Sequence, residues 1–276
     1  MNDSQLDPKL TDPDQASKIY FLPNLMTSLN LFCGFGSVIR CIQAWAASNL
    51  GDPVTSQLFY TQAVYLILAA VFFDGLDGRL ARLGGRESIF GKEFDSIADV
   101  VSFGVAPSLM VFFMILSPSK DFPFFRDIGW IIGFIYLLCV GIRLARFNVI
   151  THPLMEKNEV TSCKDFIGLP CPAAAGVISS LVLVLNKFEL SFLSIFLPAL
   201  MILIAYLMVS SIRYPSFKHV DWTTRMRFTS FILLIIILTL IAMFRAVGVS
   251  LLFHAYIFYG IFLHLRARFR KPTTAE

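Results

Sequence analysis

The stretch Asp74-Gly75-Leu76-Asp77-Gly78-Arg79-Leu80-Ala81-Arg82, followed by Gly91, Asp95 and Asp99, decides how this chain is read, because it sets four carboxylates against long apolar runs. An ionised carboxylate beside hydrocarbon is expensive, so acids in such a place point to an ion or proton site. At about 100° per residue, Asp74, Asp77, Gly78, Ala81 and Arg82 fall on one face of a helix. Gly78 and Ala81 leave that face without bulk, and Arg82 stands one turn further out, where a guanidinium can hold phosphate oxygens. The i, i+4, i+8 spacing of Gly91, Asp95 and Asp99 aligns them on one stripe of the next helix. Two antiparallel neighbours therefore bring two acids each to one place. Such carboxylates repel unless some are protonated or a cation lies between them, and hard cations such as Mg²⁺ or Mn²⁺ prefer oxygen ligands. Two metals about 3.5 to 4 Å apart would suit phosphoryl chemistry. A helix end that merely carries solvated acids accounts for the pattern less well, since solvated charges have no reason to share one stripe.

Outward from this stretch the chain is too apolar for a soluble domain: 56% of its 276 residues are hydrophobic and 15% charged, with a mean hydropathy of +0.70. The predicted fold is all-α, a polytopic integral membrane helix bundle. Long uncharged windows run from Tyr20 to Ile39, Pro53 to Phe73, Val100 to Ser119, Ile128 to Ile142, Phe166 to Asn186, Leu190 to Ile212, Phe228 to Phe244 and Ala246 to Leu265. A span needs about 20 apolar residues, so the windows predict about eight transmembrane helices, the fourth fitting if Arg143 and Arg146 sit at its wet end. Lys and Arg collect in alternate connections, among them Arg79, Arg82, Arg86 and Lys92, then Arg143, Arg146, Lys157 and Lys164, and finally Arg266, Arg268, Arg270 and Lys271. The positive-inside bias then places both termini in the cytoplasm and the acids at that face. The net charge of +4 belongs to this rim, where anionic lipid and phosphate-bearing substrates are met, and gives no reason to expect nucleic acid. No signal-peptide pattern opens the chain, and the first span supplies insertion.

The flanks carry further candidates. In Leu22-Pro23-Asn24-Leu25-Met26-Thr27 the polar residues Asn24 and Thr27 share a face, either capping a helix or reaching a ligand. Gly34-Phe35-Gly36-Ser37 offers small residues for close helix packing, and Gly84-Gly85 ends the acidic helix. Arg143 and Arg146, at i, i+3 and level with the acids, are either positive-inside anchors or an anion site facing them. Cys33, Cys41, Cys139, Cys163 and Cys171 lack any metal or disulfide spacing and read as small packing residues. The four histidines are isolated, and none is expected to bind metal. Spans seven and eight read as packing helices.

Asp74, Asp77-Gly78, Ala81-Arg82, Gly91, Asp95 and Asp99 fit the pattern D-x-x-D-G-x-x-A-R-x8-G-x3-D-x3-D with no departure, and on these residues the chain resembles the CDP-alcohol phosphatidyltransferases. Its flanks are similar to the membrane-embedded phosphatidylserine synthases of that family, through Asn30 to Gly34, Phe94 to Pro107, Arg143 to Asn148 and Gly168-Leu169-Pro170. The resemblance implies a catalytic bundle over 20–212; beside it, polar composition predicts a disordered or interfacial tail over 1–19, the apolar windows predict two additional transmembrane helices over 213–265, and the Lys and Arg run marks a basic cytoplasmic tail over 266–276. It implies that Asp74, Asp77, Asp95 and Asp99 hold two divalent cations, Mg²⁺ or Mn²⁺, on the diphosphate of CDP-diacylglycerol. Gly78, Arg82 and Ser88, joined by Asn24 and Thr27, would contact that substrate, and Asp99 would be the general base for the L-serine hydroxyl. Arg143 or Arg146 is the candidate for the serine carboxylate. A homodimer in the bacterial inner membrane is likewise what the resemblance implies. Two alternatives stand beside this reading: a CDP-alcohol transferase with another acceptor, such as choline or glycerol 3-phosphate, and an ion-coupled transporter.

Overall fold

The computed structural model of the chain describes residues 21–83, 89–116, 128–150, 166–214 and 246–269. Two long helices open it, α1 (Phe21–Asn49) and α2 (Pro53–Leu83). The turn between them is written into four residues. Gly51 takes a left-handed φ of 79°, Asp52 N–H donates to Ala47 O at 3.0 Å and Gly51 N–H to Ser48 O at 3.1 Å, which together close the end of α1. Asp52 then caps α2 by accepting from Thr55 N–H at 3.0 Å, and Pro53 occupies the first helical position, where a missing N–H costs nothing. The returning pair packs through small residues: Ser37 Oγ donates to Ala63 O at 3.0 Å, and Cys41, Ala44, Ala63 and Ala70 are fully buried.

The next span is one continuous helical rod made of α3 (Ile89–Asp99), a π-helical turn (Val100–Val105), α4 (Ala106–Val111) and a second π-helical turn (Phe112–Leu116). Pro107 explains the first widening. It has no N–H to offer the carbonyl four residues back, and its ring crowds that carbonyl. That carbonyl belongs to Phe103, and the buried Tyr136 hydroxyl donates to it at 3.0 Å instead. Tyr136 comes from α5 (Gly129–Ile150), which also receives Ser108 Oγ on Gly133 O at 3.1 Å. The chain then enters α6 (Cys171–Lys187), a 3-10 turn (Ser191–Phe196), α7 (Leu197–Val209) and α8 (Ala246–Phe269). Among the described residues the all-α expectation is departed from only by two-residue strands, β1 (Phe166–Ile167) paired antiparallel with β2 (Arg213–Tyr214). Gly168, at a φ of 82°, and Pro170 prevent helix there, so the exposed backbone groups find partners across the strand pair and in Gly168 N–H to Ile212 O at 2.8 Å.

Among the described residues, six helices are long and apolar enough to cross a membrane: Phe21–Asn49, Pro53–Leu80, Phe90–Leu116, Gly129–Val149, Phe192–Val209 and Ala246–Arg266. Cys171–Lys187 is a shorter apolar helix. The fifth expected window thus lies on the shorter helix, while the seventh, Phe228 to Phe244, lies outside the described residues with the N-terminal tail, Gly84-Gly85 and residues 270–276. The third span starts earlier than its apolar window, because α3 carries the charged residues from Lys92 to Asp99 within the same rod. Phe32, Phe35, Phe72, Trp130, Phe192, Tyr206, Phe258 and Phe262 face outward, a surface suited to lipid and to a multi-pass membrane protein.

Candidate metal and active site

Asp74 lies near the far end of α2, roughly 30 Å along the axis from Pro53, which is about one hydrocarbon thickness. Helix α3 runs back past that level, and its i, i+4 spacing turns Asp95 and Asp99 to the same side as Asp74. One carboxylate oxygen from each of Asp74, Asp95 and Asp99 lies within 4.8 Å of the other two. Asp99 is buried, at 5% exposure, and the other two are half-buried. At that separation each pair of charges repels by about 3.5 kcal/mol or more for an effective dielectric near 20. Three hard oxygen donors converging from two helices fit a Mg²⁺- or Mn²⁺-class cation, which would reverse the sign of that energy.

The fourth acid is held differently. Asp77 is 4% exposed, and its Oδ2 accepts from Thr27 Oγ1 at 2.9 Å; it stands outside the group of three. Thr27 therefore ties α1 to α2 beside the acids. Both Thr27 and Asn24 lie inside α1 rather than capping it, and Asn24 lends its carbonyl to Ser28 Oγ at 2.7 Å. Gly78 is half-buried next to Asp77. For Arg82 only the helical backbone is described, and Ser88 lies outside the described residues.

Behind Asp99 is a set of contacts for which the spacing of the acids gave no signal. Asn30, fully buried, donates from Nδ2 to Asp99 Oδ1 at 3.1 Å. Ser102, one turn beyond Asp99, donates from Oγ to the Asn30 carbonyl at 2.9 Å. Gly34 makes the approach feasible, because a Cβ there would come within 2.2 Å of Ser102 Oγ and 2.6 Å of its Cα. A usable signal existed: Asn30 is a lone amide inside the run Leu29-Asn30-Leu31-Phe32, where an unpaired polar group would be costly.

The two arginines part company. Arg143 is half-buried and Arg146 exposed. The Arg143 guanidinium lies 5.6 Å from the Phe147 ring centre and directs Nη1 to Cys171 Sγ at 3.7 Å. Cys171, fully buried at the start of α6, belongs to the apolar core as its packing reading implies, and Arg143 is a polar neighbour there. Tyr256 of α8 is within electrostatic reach of Arg143 and packs against Tyr214 with ring centres 5.9 Å apart. Asn148 Nδ2 donates to Ser96 Oγ at 2.9 Å, fastening the end of α5 to α3.

A family model described as CDP-alcohol phosphatidyltransferase matches residues 20–209, which includes every acid above. The chain belongs to the CDP-alcohol phosphatidyltransferase family. Among its relatives in this family is a Helicobacter pylori protein named CDP-diacylglycerol--serine O-phosphatidyltransferase, 36% identical over 268 residues, covering 93% of this chain and 98% of that protein. An archaetidylserine synthase from Methanothermobacter thermautotrophicus is 39% identical over 196 residues, 70% of this chain and 69% of its own. A CDP-diacylglycerol--serine O-phosphatidyltransferase from Saccharomyces cerevisiae is 35% identical over 167 residues, 60% of this chain and 55% of its own. The matched region of this phosphatidyltransferase ends before α8, although α8 places Phe253 against Gly176 and receives Tyr214 at Gly260.

Proposed function

We propose that this chain transfers the phosphatidyl group of CDP-diacylglycerol to L-serine, giving phosphatidylserine and CMP. What carries the reading is the meeting of Asp74, Asp95 and Asp99 within 4.8 Å in a family member matched over 93% of its length by a relative named for that reaction. Asp74, Asp95 and Asp99, with Asp77 beside them, would hold two divalent cations, Mg²⁺ or Mn²⁺. When bound, such cations would neutralise the diphosphate and the charge that grows on its oxygens during transfer.

The chain's own residues do the rest. Asp99 takes the proton from the serine hydroxyl as that oxygen attacks the lipid-bearing phosphorus; the bond to the CMP oxygen breaks, and CMP leaves with the electron pair. Gly78 leaves room for the nucleotide, while Arg82, Ser88, Asn24 and Thr27 serve the CDP moiety. Arg143 holds the serine carboxylate. Arg143 is half-buried and directs its guanidinium to Cys171 at the start of α6, whereas Arg146 is exposed and serves as an anchor. The catalytic unit runs over 20–212 with 213–265 as additional helices, the site faces the cytoplasm of a bacterial inner membrane, both termini lie on that side, and the working form is a homodimer.

The test is a panel of labelled acceptors given to purified protein with CDP-diacylglycerol and Mn²⁺: L-serine, glycerol 3-phosphate, choline and inositol 1-phosphate. Labelled lipid from serine alone supports the reading. Lipid from another acceptor moves the chain to a different branch of the family, and solute flux without CMP release would make it a transporter.

A further inference from the structure

We infer that Asn30 is a positioning residue for the metal and base carboxylate: it fixes Asp99 by one oxygen so that the other is presented to Asp74 and Asp95. The inference rests on the reading of Asp99 as a ligand and base.

Asn30 Nδ2 donates to Asp99 Oδ1 at 3.1 Å within a buried contact between α1 and α3. Only the N–H end of the amide attracts a carboxylate, so its orientation is set by charge. The opposite end has no such partner: Asn30 Oδ1 is buried without a hydrogen bond. A buried amide oxygen left unpaired costs about 1 to 3 kcal/mol, so an asparagine kept only for packing would be a poor choice at this position. The backbone of Asn30 is pinned as well, since Ser102 Oγ donates to its carbonyl at 2.9 Å from the same rod that carries Asp99. Asp99 and its holder are thus locked to each other at two points, and Gly34, whose missing Cβ admits Ser102, sets the helix separation.

The consequence is an orientation and not merely a fold contact. With Oδ1 engaged by Asn30, the carboxylate of Asp99 cannot rotate freely, and the geometry that the cluster needs is formed before any cation arrives. Outer partners of metal-ligating groups are worth about 10- to 100-fold in metal affinity or activity. Asn30 belongs to that range because it hydrogen-bonds Asp99 from within the helix packing, buried at 0% exposure.

The experiment measures Mn²⁺ binding by electron paramagnetic resonance on full-length protein in detergent, without substrate, for the wild type, Asn30→Leu, Asp99→Asn and the double variant. Asn30→Leu keeps volume and removes the donor, and Asn30→Ala runs alongside as a variant that cannot overpack. Each Asn30 variant is expected to weaken Mn²⁺ binding by at least about tenfold, and to lower kcat while the KM for CDP-diacylglycerol stays within about twofold. In the Asp99→Asn background the same change at Asn30 should have no further effect on Mn²⁺. Equal losses in both backgrounds, or unchanged Mn²⁺ affinity in Asn30→Leu and Asn30→Ala, would overturn the inference. If Asp99→Asn alone binds Mn²⁺ as the wild type does, the ligand reading of Asp99 fails instead, and the two failures are told apart.

Discussion

Replacing Asp95 by asparagine separates the charge of the acid cluster from its shape, and the sign of its effect should depend on whether a cation is supplied. With one oxygen of each acid within 4.8 Å of the others, each of the three pairs repels by about 3.5 kcal/mol at an effective dielectric near 20 when all three are ionised. Asp95→Asn removes two of the three pairs, a ceiling of about 7 kcal/mol. Asp74 and Asp95 are half-buried, so water and salt screen part of this; even a third, about 2 kcal/mol, is ample to measure. At about 2 to 4 °C per kcal/mol for a chain of this size, the variant should melt about 4 to 8 °C above the wild type in chelator. Saturating Mn²⁺ should reverse the order. At one hundred times its Kd the cation stabilises the wild type by about 2.7 kcal/mol, and the variant, short of one anionic ligand, gains less. The assay is thermal unfolding in detergent followed by tryptophan fluorescence, with EDTA or with Mn²⁺. A variant less stable than the wild type in EDTA, or one that gains as much from Mn²⁺, would refute the electrostatic reasoning.

Other outcomes follow from single contacts. Asp99→Asn should abolish CMP release while leaving the folded protein intact by gel filtration. Arg143→Ala should raise the serine KM by about tenfold to a hundredfold, the loss expected for one charge-assisted hydrogen bond, whereas Arg146→Ala should leave it within about twofold; steady-state kinetics at fixed CDP-diacylglycerol decides. Gly34→Ala should destabilise by about 1 to 3 kcal/mol through its collision with Ser102, while Gly75→Ala, with nothing within 4 Å of the new Cβ, should be tolerated or slightly stabilising. Hydrogen bonds from Thr55 hold the Asp52 carboxyl below the usual carboxylate range. Its contribution is therefore fully present above the unfolded value and lost as pH falls through the folded one. Asp52→Ala should lower Tm at pH 7, and the difference from wild type should vanish well below pH 4.

Much of the architecture was legible because membrane spans declare themselves by length and hydropathy, and the acids by their spacing along two helices. Asp74, Asp95 and Asp99 meet as their i, i+4 and antiparallel relations imply. Periodicity alone could not separate Asp77 from them: its partner, Thr27, is 50 residues away in sequence, and contacts between distant helices leave no local pattern. The same holds for Asn30 and Ser102, which read as incidental polar residues until α1 and the third span are packed together. The π-helical turn was also hidden, although its cause, Pro107 after Gly104, was in plain view. The short strand pair between Phe166 and Tyr214 arises where glycine and proline forbid helix and backbone groups still need partners. Cys171 packs in the core as its sequence context implies, while the contact it receives from Arg143 of α5 leaves no local pattern.

The most direct test of the central claim is a balance of products. Purified protein is given CDP-diacylglycerol and labelled L-serine, with Mn²⁺ or with EDTA, and both CMP and labelled lipid are counted. The account predicts one CMP for each phosphatidylserine with Mn²⁺ and neither product in EDTA. Phosphatidylserine formed at the full rate in EDTA, or CMP released with no serine entering lipid, would contradict it.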